Sequence, residues 1–139
     1  MARVLVVEDE PMINQLLVEI IGELHVPVTG ARDGASATAA FGLGVDLVLL
    51  DMRLPDADGL DLLVRFKRER PACRVCVMTG QGTPDVERAA RTLGADGFLH
   101  KPFLVEDLLA VVSRMLPVAP AREPFAARPL TAAGEAEPP

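Results

Sequence analysis

Four short patches of this 139-residue chain carry side chains that could do chemistry together: Glu8-Asp9, Asp51, Thr79 and Lys101. Each closes an apolar run. The runs are Val4-Leu5-Val6-Val7, Leu47-Val48-Leu49-Leu50, Val75-Cys76-Val77-Met78 and Gly97-Phe98-Leu99-His100. Such runs are too short for helices and read as parallel strands covered on both faces. In a parallel sheet all strands finish at one edge, so the four patches converge there, where open α/β sheets bind their ligands. Carboxylates gathered at one point repel and raise one another's pKa unless a cation compensates. A hard divalent ion such as Mg2+ is the natural compensator, because it takes carboxylate oxygens, a backbone carbonyl and waters while leaving positions for phosphoryl oxygens.

Asp51, on the central strand, can then attack phosphorus as a carboxylate nucleophile and form an aspartyl phosphate. Positioning and charge neutralisation do most of the work in phosphoryl transfer, which calls for a metal on one side of the group and a cationic side chain on the other. Lys101 fits the second role. The chain uses arginine twelve times and lysine only at Lys67 and Lys101, so a lysine at a strand end points to a need for a compact ammonium. Thr79 adds a hydroxyl able to donate to a phosphoryl oxygen, and Gly80 leaves backbone room beside it.

The elements that must position these groups can be read in order. After the first strand, Pro11 opens a helix whose Ile13, Leu16, Leu17, Ile20, Ile21 and Leu24 repeat at three and four residues and form one core-facing stripe. His25 to Thr29, with Pro27, reads as an edge strand. Gly34 to Phe41 is a short, small-residue helix closed by Gly42 or Gly44. Beyond Asp51, Leu54-Pro55-Asp56 turns the chain and Asp58 N-caps a helix from about Gly59 to Arg70, with Leu60, Leu63 and Val64 inward and Arg65, Lys67 and Arg68 outward. The fourth strand, Val75 to Met78, ends in Thr79, and a helix with Val86, Ala89, Ala90 and Leu93 on its inner side runs to Gly94. A last helix carries Val105, Leu108, Leu109, Val112 and Leu116 on one face. Five strands alternating with five helices predict a three-layer α/β fold around a parallel sheet.

Composition narrows the function classes. The length suits one domain, and a net charge of −6 argues against a chain whose main business is nucleic acid, which needs a clustered positive surface. No run approaches the ~18 apolar residues of a membrane span, and no secretory signal opens the chain, so a cytoplasmic location is expected. Cys73 and Cys76 lie three apart along a strand, about 10 Å and on opposite faces, beyond the ~7 Å reach of a disulfide, so they read as packed thiols. His25 and His100 have no partner at ligand spacing. His100 alternates with Lys101 and points away from the pocket. From Pro117 the chain holds six of its twelve prolines among many alanines, a composition expected of a disordered tail or linker over 117–139.

The order Val7-Glu8-Asp9, Leu50-Asp51-Met52-Arg53-Leu54-Pro55, Asp58-Gly59, Met78-Thr79-Gly80 and Phe98-Leu99-His100-Lys101-Pro102-Phe103 resembles the receiver domain of two-component response regulators over residues 1–116. That resemblance implies a flavodoxin-like (CheY-like) sheet of order 2-1-3-4-5 and phosphorylation of Asp51 by a sensor histidine kinase or histidine phosphotransfer protein. It implies Mg2+ held by Glu8, Asp9, Asp51 and the backbone carbonyl of Arg53, and Lys101 paired with the phosphoryl group through a cis Lys101-Pro102 bond. Thr79 and Phe98 would form the switch, moving together. The output face would be the fourth helix, fifth strand and fifth helix, which could also form a homodimer. The loops after Met78 and around Lys101 look similar to those of enhancer-binding (NtrC-type) transcription regulators.

The chain departs from the receiver pattern in places. Glu8 stands where many receivers have Asp, which lengthens its reach and could put a water between carboxylate and metal. Phe98 lacks the hydroxyl of the common tyrosine. Arg53 and Gln81 would border the path of attacking water and so affect phosphate lifetime. Other classes fit less well. A dehalogenase-type phosphatase needs an aspartate where Arg53 stands, and a dinucleotide-binding module needs a glycine-rich loop where Glu8-Asp9-Glu10-Pro11 would repel a pyrophosphate. A receiver fold used only for dimerisation or docking, independent of phosphorylation, is the remaining alternative. The chain would then keep an acid, threonine and lysine set that it does not use.

Overall fold

All of Val4–Val7 (β1) and Leu47–Asp51 (β3) is buried, as two neighbouring strands covered on both faces must be. The computed structural model describes residues 2–80 and 83–117, so Gln81 and the segment 118–139 lie outside the described residues. The remaining elements in chain order are α1 (Pro11–Gly22), β2 (Val28–Ala31), α2 (Gly34–Phe41), α3 (Gly59–Glu69), β4 (Arg74–Thr79), α4 (Pro84–Thr92), β5 (Gly97–His100) and α5 (Val105–Met115). The strands form one parallel sheet of order β2-β1-β3-β4-β5, with Val7 beside Leu50 and Asp51 beside Met78. That register brings the ends of β1, β3 and β4 to one edge.

Alternation along each strand divides the core into two layers. Leu5, Val7, Val48, Leu50, Val75 and Val77 pack with Ala37 and Phe41 of α2, Leu62, Leu63 and Phe66 of α3, and Ala90 of α4. Val4, Val6, Leu47, Leu49, Cys76 and Met78 pack with Leu17 and Ile21 of α1 and Leu108, Val112 and Met115 of α5. Phe41 and Phe66 stack at 4.2 Å between ring centroids, and the Arg70 guanidinium lies 5.1 Å from the Phe41 ring.

Several expected faces are corrected. In α3, Leu62 and Phe66 are buried with Leu63, while Leu60 and Val64 are half-buried. Lys67 is not outward, because its ammonium donates to the Cys73 carbonyl at 2.8 Å and to Asp96 at 3.0 Å. In α1 only Asn14, Leu17 and Ile21 are buried, and Ile13 and Leu16 stand exposed beside Met12. In α4 only Ala90 is buried. In α5 the buried set is Leu108, Val111, Val112 and Met115, whereas Val105 is exposed. The edge strand starts at Val28, later than expected, because His25 adopts φ 61° just after α1 and the prolyl nitrogen of Pro27 has no hydrogen to donate.

Candidate functional site

The ends of β1, β3 and β4, with the residue after β5, form an open hollow of about 610 Å3 lined by Glu8, Asp9, Asp51, Arg53, Thr79 and Lys101 among others. All the expected acids, the threonine and the lysine meet here. Phe98, on β5, lies outside the lining.

Glu8 is the deepest of these groups, with 1% of its surface exposed. The Lys101 ammonium donates to Glu8 Oε1 at 2.5 Å and to Asp51 Oδ2 at 3.2 Å, tying the ends of β1 and β3 to the residue after β5. Asp51 Oδ1 accepts from the Arg53 amide at 3.0 Å, so both carboxylate oxygens are oriented. Glu8 Oε2 accepts from the Glu10 amide at 3.2 Å. Burial pushes the Glu8 carboxyl above its ordinary range; the Lys101 bond opposes this and the Asp51 charge reinforces it. Burial also works against the Lys101 charge, yet the bond to Glu8 and the field of Asp51 outweigh it and hold the ammonium above the usual lysine range. Lys101 is anchored by its backbone, whose amide donates to the Thr79 carbonyl at 2.8 Å, and the Lys101-Pro102 peptide is cis.

One carboxylate oxygen each from Glu8, Asp9 and Asp51 falls within 4.8 Å of the others. Oxygen donors in that number and charge fit a hard divalent cation rather than a soft one. The third acid, Asp9, is exposed and faces solvent at the mouth.

The turn after Asp51 is built for close approach. A Cβ on Gly59 would lie 2.6 Å from Met52 Cα and 3.1 Å from the Asp51 carbonyl oxygen, so only glycine lets α3 start there. Asp58 caps that helix, accepting from the Leu60 amide at 2.8 Å. Asp56 serves the start of α2, a helix 22 residues earlier, beside that helix's own N-cap Asp33: it accepts from the Gly34 and Ala35 amides at 2.6 and 3.1 Å.

Asn14 was not among the residues singled out from sequence. Its buried side chain donates to the carbonyls of Glu8, at 3.0 Å, and Ala31, at 2.8 Å, fixing the peptide that carries the first acid. Gly30 makes the room, since a Cβ there would fall 2.2 Å from Asn14 Oδ1. The available signal was a polar residue at the 14, 17, 21 spacing of the buried α1 stripe.

Away from the hollow, Cys73 and Cys76 are free thiols in opposite core layers, and burial pushes them up to about 11 and about 12. His100 is not among the residues that line the hollow and points toward α4, where its Nε2 meets Glu87 Oε2. Phe98 is half-buried against the α2–α3–α4 layer, with the Arg91 guanidinium 4.7 Å from its ring centroid.

This fold, with an acidic hollow at the ends of its parallel strands, is that of a signalling module. The family model of the response regulator receiver domain matches residues 4–113, and the chain belongs to that family, the receivers of two-component systems. It is 38% identical over 109 residues to the transcriptional regulatory protein TcrA of Mycobacterium tuberculosis, covering 78% of this chain and 43% of that protein. It is 37% identical over 117 residues to the DNA-binding transcriptional regulator NtrC of Azospirillum brasilense, covering 83% of this chain and 24% of that protein. The chain thus spans less than half the length of either relative. A CheY-like receiver domain from Methanospirillum hungatei superposes with a TM-score of 0.78 at 26% identity, covering 82% of this chain and 92% of that one. Among the described residues no helix is long and apolar enough to cross a membrane.

Proposed function

We propose that Asp51 is the phosphoacceptor of this receiver and that its phosphorylation switches the surface formed by α4, β5 and α5. The observation that carries the reading is the Lys101 ammonium bonded at once to Glu8 and Asp51 in the hollow that Asp9, Arg53 and Thr79 also line. The phosphodonor is a sensor histidine kinase or a histidine phosphotransfer protein. An Asp51 oxygen attacks phosphorus of the phosphohistidine, the P–N bond breaks as the P–O bond forms, and the leaving imidazole nitrogen takes a proton from solvent.

Glu8, Asp9, Asp51 and the Arg53 carbonyl would hold Mg2+, which when bound supplies positive charge to the phosphoryl oxygens. Lys101 transfers one of its hydrogen bonds from the carboxylates to a phosphoryl oxygen, and Thr79 donates its hydroxyl to another. The new group brings about −1.5 to −2 charges and three acceptor oxygens, enough to draw Thr79 inward and let Phe98 follow. Ile13 lines both the site and an adjoining apolar hollow with Met12 and Leu16. That exposed strip of α1 offers the histidine donor a surface beside the reacting carboxylate. The proposed receiver unit is residues 1–116, acting through protein contacts or a homodimer on α4, β5 and α5 and not by touching nucleic acid itself.

The test is incubation of the chain with Mg2+ and acetyl phosphate, followed by intact mass measurement. A gain of one phosphoryl group that chelation of Mg2+ prevents is the expected result. A chain that takes up no phosphoryl group with Mg2+ present contradicts the reading.

A further inference from the structure

Phe98 and His100 stand two residues apart on β5 and so project to the same side of the sheet, toward α4. Glu87 and Arg91 stand four apart on α4 and so share one helix face. The two pairs meet. The Arg91 guanidinium lies 4.7 Å from the Phe98 ring centroid, Glu87 Oε2 meets His100 Nε2, and Arg91 Nη2 approaches Glu87 Oε1 at 4.0 Å. Ring, guanidinium, carboxylate and imidazole form one continuous chain across the α4–β5 seam. The neighbouring Asp85–Arg88 pair, by contrast, closes within α4 alone.

We infer that Arg91 and Glu87 are positioning residues that clasp Phe98 in its half-buried place and thereby set how readily the receiver switches. This rests on the phosphoacceptor reading of Asp51 given above. Lys101 is bonded to Glu8 and Asp51 while the clasp is closed, so the closed clasp belongs with the arrangement in which the ammonium still serves the carboxylates. Inward rotation of Phe98 takes the ring away from Arg91, and activation must therefore break the cation–π contact. Any interaction made in one of two arrangements and lost in the other shifts their populations by its own strength, and the affinity of a ligand that selects the second arrangement shifts with it. A cation–π contact at an exposed site is worth about 0.5–1 kcal/mol, which converts to roughly two- to five-fold in affinity. Arg91, with 62% of its side chain exposed, sits in that regime.

The test is calorimetric titration of the whole chain with beryllofluoride at saturating Mg2+, comparing the parent with Arg91→Gln, Arg91→Lys and Glu87→Gln, each first shown to be folded by its amide NMR spectrum. Arg91→Gln is expected to bind beryllofluoride about two- to five-fold more tightly. Arg91→Lys should return toward the parent, and the Phe98 ring resonances of Arg91→Gln should move toward their beryllofluoride-bound positions before any is added. Glu87→Gln, which frees Arg91 from its carboxylate, should move the same way by a smaller amount. Equal affinity in parent and Arg91→Gln, or weaker binding by the variant, overturns the clasp and leaves the phosphoacceptor reading standing. Failure of the parent to bind beryllofluoride at all overturns both.

Discussion

Glu8 dominates the electrostatics at the floor of the hollow, because among the described residues it is the acid buried most completely. Its carboxyl is held above the ordinary 4.5 by burial and by Asp51, with Lys101 only partly offsetting both. Between the unfolded and folded pKa values the folded chain binds more protons than the unfolded one, so this group's contribution to stability falls as pH rises through that window. Replacing Glu8 by Gln removes the contribution. In urea titrations without divalent ions, the stability of Glu8→Gln minus that of the parent should increase as pH rises above 4.5 and then level off. A difference that stays flat, or shrinks, across that range would show that burial does not disfavour the charge. The thiols behave in the same direction at the other end of the scale. Cys73 and Cys76 keep their protons in the folded chain well past the usual 9.0, up to about 11 and about 12, so stability should decline above pH 9.0. Native protein should leave Ellman's reagent unreacted, and protein in strong urea should give two equivalents.

At the scale of elements, the turn between β3 and α3 is where the fold holds Asp51 in position. Gly59→Ala pushes a methyl group against the Met52 backbone, and overpacking of this kind costs about 1–3 kcal/mol. The urea midpoint should fall accordingly, and labelling by acetyl phosphate should slow because the Asp51 carbonyl must move too. Unchanged stability would mean that α3 can start elsewhere. Asp56 tests the turn from its other side. Asp56→Ala strips two amide bonds from the start of α2 while the N-cap Asp33 keeps its bond to the Ser36 amide, and hydrogen bonds to a charged group contribute about 1.5–3 kcal/mol each, read in the same titration. Nothing in sequence spacing could show that Asp56 serves the start of a helix 22 residues earlier, because only the order of strands in the sheet brings the two loops together. Strands were far more legible than helix faces. The apolar runs ending in Glu8, Asp51, Thr79 and Lys101 are short and bounded, so their type and ends follow directly. In α3, apolar residues at 60, 62, 63, 64 and 66 allow more than one stripe, and only the layer built by Phe41 selects Leu62, Leu63 and Phe66. In α1 the apolar set is wider than the core, and Met12, Ile13 and Leu16 are left over at the rim of the site.

For the whole molecule, a net charge of −6 and three acids within one small cluster mean that the proposed Mg2+ would contribute to stability. An ion that binds only the folded chain stabilises it by about 2.7 kcal/mol at a free concentration one hundred times its Kd. Mg2+ should therefore raise the urea midpoint of the parent, and it should raise that of Glu8→Gln much less. Equal shifts in the two proteins would place the ion elsewhere. The site was legible because a parallel sheet turns four distant stretches of sequence into neighbours, and a strand-terminal acid, threonine or lysine then needs no further rule to be placed. The Arg91–Phe98 contact and the Glu87–His100 pair were not legible, since each depends on how a helix is rotated against the sheet.

The most direct measurement is to label the parent and Asp51→Asn with acetyl phosphate and Mg2+, reduce with borohydride, and sequence the peptides. Asp51 carrying the phosphoryl group should appear as homoserine at position 51 of the parent, with no labelled residue in the variant. Labelling of Asp51→Asn to the parent's extent, or reduction at another acid such as Asp9, would contradict the assignment of Asp51 as the group that receives phosphorus.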